Sequence, residues 1–213
     1  MRGSTSMYMR SWREANFIKN THRAGARFEE HVVETLRNYT NAVWRNVRIE
    51  TLLTQTGNTE LDIVFYYGGL VYILELKRVR RIVGSYGDHR WKLYQWHGRT
   101  DDLDEYVTFN VIQQNNIHAR SFCDLYYSEF RCFPKVVPLV IVPDDCEIPD
   151  ELRDDILTIG ELQDFLQTAQ GSDAQRVPYR IAYLMNGHTE TVPRKDLVIR
   201  FYRDGQPVSG KPI

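Results

Sequence analysis

Apolar positions in this chain follow two rhythms, and the points where the rhythm changes mark its elements. Over 22–38 (HRAGARFEEHVVETLRN), Phe28, Val32 and Leu36 recur every four residues with Val33 beside them, a spacing that predicts an amphipathic helix. Glu29 shares a helical row with Val33 and Leu36, so its carboxylate leans toward the core side, where it needs a partner. A β-rich run at 43–49 and a polar loop around Gly57 and Asn58 lead into LDIVFYYGGLVYILELK at 61–77. There the period is two. Ile63, Phe65, Leu70, Tyr72, Leu74 and Leu76 share one face, and Asp62, Val64, Tyr66, Val71, Ile73, Glu75 and Lys77 the other. Apolar residues on both faces place this hairpin inside an α/β sheet rather than at a wet edge.

Further along, a basic loop at 78–92 leads through WKLYQW to an acidic turn. A helix is predicted from about Ile112, with Ala119, Phe122 and Cys123 on its apolar arc and Gln114 at the border. Residues 135–142 (KVVPLVIV) read as a buried strand interrupted at Pro138, ILTI at 156–159 as a short strand, and GELQDFLQTA at 160–169 as a closing helix. This order predicts an α/β fold with a mixed central sheet flanked by helices. After 171–173 the texture changes: hairpins are expected around Asn186-Gly187 and Asp204-Gly205, a small C-terminal β appendage with a mild excess of basic residues. The expected organisation is an extension at 1–21, a main domain at 22–170 and the appendage at 171–213, which could mediate self-association or recruit a partner protein.

The Gly68-Gly69 pair makes the central hairpin chemically specific. If the turn contains only those two residues, Tyr67 pairs with Leu70, Asp62 falls opposite Glu75, and Lys77 lies on the same face. Like charges facing at a Cβ separation of about 4.5–5.5 Å repel, so such a pair calls for a cation. Two readings stay open at this point: a surface ion cluster, or a divalent metal site suited to phosphodiester hydrolysis. In the second, Asp62 and Glu75 supply oxygen ligands to Mg²⁺, with Mn²⁺ as a substitute. The Leu76 carbonyl is a third ligand, and Glu29 completes the shell. Lys77 orients the attacking water or contacts the scissile phosphate, and Gln114 positions either one.

Composition narrows the setting. With 213 residues and 42% hydrophobic content the chain can bury one substantial core. Its longest apolar runs, such as 136–142, fall well short of the roughly 20 residues of a membrane span, so a soluble protein is expected. The first twenty residues lack the apolar stretch of a secretory signal. Cys123, Cys132 and Cys146 are odd in number and match no CxxC spacing, which favours a reducing, cytoplasmic location over a disulfide framework or a thiolate zinc site. The six histidines are scattered singly, without metal-ligand spacing. The net charge of −1 hides segregation. Arg78, Arg80, Arg81, Arg90 and Lys92 cluster, whereas 101–105 and 144–155 are acidic. A basic patch on an acidic body suits phosphate contact, with a solvated surface as the plainer alternative. Trp91 and Trp96 are candidates for base stacking, though packing is the commoner role for such rings.

The chain resembles the nuclease-related domain (NERD) family of the PD-(D/E)XK nuclease superfamily over roughly 22–169. ARFEEHVVETL is similar to that family's opening acidic helix, with Glu29 at the acidic position. TELDIVFYYGGLVYILELK resembles its D-x12-E-x-K core through Asp62, Glu75 and Lys77, and FNVIQQN its NPxxQ element through Gln114. VIV and LTIGELQDFL resemble the closing strand and helix. Val111 stands where the family usually has proline and Phe28 where it usually has glycine. The resemblance implies a restriction-endonuclease-like core and a Mg²⁺-dependent nuclease acting on nucleic acid, most readily DNA. A catalytically silent nucleic-acid-binding or adaptor module with the same fold is the alternative, and an interaction protein built around the appendage is a third.

Overall fold

The structure is a computed structural model that describes residues 24–96, 103–168 and 178–188 and two short strands, Phe201–Arg203 and Gln206–Val208. The extension at 1–21, most of the appendage and the Trp96 side chain lie outside the described residues. The first helix, α1, covers 24–37. β1 (Val43–Glu50), β2 (Asn58–Tyr67) and β3 (Leu70–Leu76) then form an antiparallel meander. Gly68 and Gly69 have φ values of +56° and +86°, the left-handed pair a two-residue hairpin turn demands and side chains resist. Tyr67 therefore pairs with Leu70, and the register runs to Ile63 opposite Leu74. The next step along it sets Asp62 beside Glu75.

After β4 (Arg81–Val83), β5 (Arg90–Trp96) and β6 (Leu103–Phe109) comes α2 (Val111–Phe130). β7 (Val136–Val142) and β8 (Ile156–Thr158) complete a mixed five-stranded sheet of order β1-β2-β3-β7-β8, with β7 parallel to both of its neighbours. Pro138 is tolerated inside β7 because of where its missing N–H would point. The Val140 N–H reaches Asp155 on the β8 side, and the alternate position at Pro138 faces that same side before β8 begins. α3 (Ile159–Thr168) joins α1 on one face of the sheet, burying Val32, Val33, Leu36, Leu162 and Leu166 against Ile63, Phe65 and Leu74. α2 covers the other face, where Phe122 and Tyr126 meet Val64, Val71 and Ile73.

Two regions differ from expectation. Much of the predicted basic loop, with residues 90–96 and 103–109, folds into a separate antiparallel sheet of order β4-β5-β6, whose Ile82, Trp91 and Leu93 pack on Val111, Ile112, Val140 and Val142. The hairpin expected around Asn186-Gly187 is instead α4 (Tyr179–His188), which buries Ile181, Leu184 and Met185 in the α2 layer. Those residues sit three and four apart, so one helical face finds apolar cover, and this outweighs the turn preference of Asn-Gly. The hairpin around 204–205 is present, with Arg203 paired to Gln206. No helix among the described residues is long and apolar enough to cross a membrane.

α2 is held from both ends of its first turns. Asn110 caps it, Oδ1 accepting from the N–H groups of Ile112 and Gln113 at 3.0 and 3.1 Å, while its Nδ2 donates to the Asp88 carbonyl at 2.9 Å. Asn115, 1% exposed, donates to the carbonyls of Ile73 and Leu139 at 3.1 and 2.9 Å, spanning β3 and β7. Replacing Asn110 by Ala should cost about 1–2 kcal/mol by urea denaturation, and Asn110→Ser, which keeps a capping oxygen but like Ala lacks the donor to Asp88, should cost less. Equal losses in the two variants would show that the cap is not what secures the helix.

Candidate active site

The end of the central hairpin carries the charges. β3 presents Glu75 toward α2, and Glu75 is 2% exposed. Its Oε1 accepts from Lys77 Nζ at 2.6 Å and from Gln114 Nε2 at 3.0 Å. Its Oε2 faces His118 Nδ1 at 3.3 Å. Asp62 accepts at Oδ2 from the Leu76 N–H at 2.8 Å, so the two carboxylates are tied together through the backbone of β3 as well as by register. Asp62, Glu75, Lys77, Leu76 and Gln114 are thus brought together. His118 joins them and was not singled out from sequence; the signal was its place four residues after Gln114, one helical turn along the same row.

Glu29 is not drawn into this cluster. Its Oε1 accepts from Arg45 Nε at 2.6 Å, and Glu30 accepts from Arg45 Nη1 at 2.5 Å. α1 lies on the opposite face of the sheet from Gln114 and His118, which explains the separation. The expected basic patch is largely neutralised: Arg80 pairs with Asp145 at 3.1 Å, Arg81 with Glu147 at 2.5 Å and Lys92 with Glu105 at 3.1 Å. Arg78 and Arg90 are exposed and form no ion pair among the described residues. Trp91 is fully buried, donates to the Ser85 carbonyl at 2.9 Å, and packs so closely on Gly84 that a Cβ there would lie 2.3 Å from its ring. It is a packing residue and not a platform for bases.

The electrostatics are those of two acids sharing too little solvent. Burial, and then the charge of Glu75, push the Asp62 carboxyl up to about 7 from an ordinary 3.8, against the Leu76 N–H and Lys77. Burial also acts to raise Glu75, but the contact with His118 and the hydrogen bond and charge of Lys77 outweigh it, and its carboxyl falls below the usual range. Lys77 loses hydration by burial, yet Glu75 and Asp62 hold its ammonium charged above the normal lysine range. One cation therefore answers two acids, Glu75 buried and Asp62 half-buried.

These residues suit a hard divalent cation in one respect and limit it in another. Their donors are carboxylate oxygens, Glu75 buried and Asp62 half-buried, and Glu75 Oε2 has no hydrogen-bond partner. Among the described residues, however, no group of three or more His, Cys, Asp or Glu is arranged to hold a metal ion. The set fits an ion that keeps several waters and takes only one or two carboxylates, the habit of Mg²⁺.

Comparison with known proteins agrees with the geometry. The family model of the nuclease-related domain matches residues 24–143, more than half of the chain and the span from α1 through β7. No match was found among curated proteins or among solved structures.

The raised Asp62 carboxyl has a measurable consequence in metal-free protein. Its folded pKa exceeds its unfolded one, so its contribution to stability is complete below about pH 4 and is lost as pH rises through about 7. Asp62→Asn should therefore melt higher than wild type at pH 8 in EDTA, and the gap should close toward pH 5. A variant less stable than wild type at pH 8 would mean that Asp62 is not strained by burial and charge.

Proposed function

The chain belongs to the nuclease-related domain family, and from that premise we propose that it is a divalent-metal-dependent nuclease that hydrolyses phosphodiester bonds in DNA. The observation that carries this reading is the buried Glu75 beside the half-buried Asp62, with a single charged lysine bonded to Glu75, inside the matched span. An ion cluster formed only for stability has little reason to bury one acid and half-bury a second against one cation, since buried charges left short of partners cost several kcal/mol. We take the core to be restriction-endonuclease-like, with residues 22–170 as the nuclease unit in a reducing cytoplasmic setting and 171–213 as an appendage for self-association or a partner protein.

In this reading Asp62 and Glu75 hold Mg²⁺ or Mn²⁺, with the Leu76 carbonyl as backbone ligand. Glu29, paired with Arg45 on the other face of the sheet, takes no part in this reading. The bound ion would acidify water and offset charge building on the phosphate. Lys77, whose Nζ now rests on Glu75 Oε1, orients the attacking water and donates to the phosphate oxygen as negative charge grows there. Gln114 keeps the Glu75 carboxylate in place through its Nε2. Arg78 and Arg90 contact the nucleic-acid backbone, while Arg80, Arg81 and Lys92 reach phosphate only by exchanging their acidic partners.

The absence of a three-residue ligand group among the described residues favours a second reading, a nucleic-acid-binding module that does not cut. Cleavage of linear, nicked and single-stranded DNA separates the two. Wild type should cut with Mg²⁺ or Mn²⁺ and stop in EDTA, and folded Glu75→Ala and Lys77→Ala should lose at least about 100-fold in rate. Cleavage that survives both substitutions would refute the nuclease reading, and binding without cleavage would select the second. For substrate contact, the double change Arg78→Ala and Arg90→Ala should weaken binding and lower the slope of log affinity against log salt by about 2. An unchanged slope would remove these two arginines from the interface.

A further inference from the structure

The Glu75 carboxylate is held unevenly. Lys77 and Gln114 both crowd onto Oε1, whereas Oε2 has only the His118 imidazole before it. The two facing side chains are 6% and 3% exposed, so water has little access to this contact. Neither His118 Nδ1 nor Glu75 Oε2 has a hydrogen-bond partner elsewhere. At 3.3 Å they stand somewhat beyond the roughly 2.7–2.9 Å of a charge-assisted hydrogen bond.

A neutral imidazole carries its proton on one nitrogen. If Nδ1 were bare, two lone pairs would face each other away from water, each lacking a donor. With Nδ1 protonated the same atoms need only a slight approach to bond. Catalytic hydrogen bonds that are long in a resting structure commonly tighten when the site is loaded. α2 limits how far the imidazole can drift, because Asn110 and Asn115 fix the helix to the loop and to two strands.

We propose that His118 is a positioning residue: its Nδ1–H directs Glu75 Oε2 and so sets the orientation of the carboxylate that Lys77 and Gln114 grip from the other oxygen. This rests on the reading of Glu75 as the cation-holding carboxylate. His118 itself touches neither water nor phosphate in this role. Partners that orient a metal-bound group typically contribute about 10–100-fold to affinity or rate.

Two measurements decide it. In ¹⁵N NMR of metal-free protein, His118 should carry a proton on Nδ1; a bare Nδ1 overturns the proposal. The second compares His118→Asn, whose amide nitrogen stands near the place of Nδ1, with His118→Gln, whose nitrogen stands near Nε2. Calorimetry with Mn²⁺ should give His118→Asn an affinity near wild type and His118→Gln one weaker by about 10-fold. The rate constant for cleavage should fall in parallel with KM for DNA unchanged. Equal behaviour of the two folded variants would overturn the role. Wild type that neither binds metal nor cuts DNA would instead overturn the nuclease reading, and the proton on Nδ1 would still decide the role of His118.

Discussion

A buried Glu75 carboxylate beside a half-buried Asp62 carboxylate, with one ammonium bonded to Glu75, is the constraint around which this molecule is arranged. Asp62 and Glu75 repel, and burial makes that repulsion expensive. The protein answers with groups drawn from three places. Lys77 comes from the end of the same strand, the Leu76 N–H from the backbone between Glu75 and Lys77, and Gln114 and His118 from the helix above. None of these removes the second negative charge. Asp62 meets it by holding a proton until about pH 7, a state a divalent cation would replace.

The scaffold delivers that arrangement by rigid means. A Gly-Gly turn with both residues left-handed leaves no freedom in the β2–β3 register, so the two acids cannot slip past each other. The parallel strand β7 locks the outer edge of β3, with Leu76 opposite Ile141. Asn115 then staples α2 to both strands, turning the helix row Gln114 and His118 toward Glu75. The small sheet β4-β5-β6 leans on the first turn of α2 through Trp91, Val111 and Ile112, and so supports the site from the side.

Much of this was legible in the sequence because the controlling signals are local. The two-residue turn follows from Gly68-Gly69, and once it is granted the placement of Asp62 opposite Glu75 is arithmetic. α1, α2 and the buried strands follow from apolar spacing. Legibility failed where distant partners decided the outcome. The basic residues after Lys77 looked like a phosphate-binding loop, but acids from 145–147 and from Glu105 reach Arg80, Arg81 and Lys92 through folding, a long-range pairing no local pattern announces. α4 carried a hairpin signal at Asn186-Gly187 that lost to burial of Ile181, Leu184 and Met185. Glu29 was expected at the cluster for its core-facing row, yet its helix packs on the other face of the sheet and Arg45 takes its charge. His118 has no metal-ligand spacing to another histidine; its informative neighbour is Gln114, four residues earlier on the same helical row.

The central claim is that the Asp62–Glu75 pair is a cation site. Anomalous diffraction from crystals of the metal-free protein soaked in Mn²⁺ tests it most directly. The account predicts one strong peak between the two carboxylates, lost in Asp62→Asn crystals. No peak there, or Mn²⁺ bound only along the acidic stretch 144–155, would contradict it.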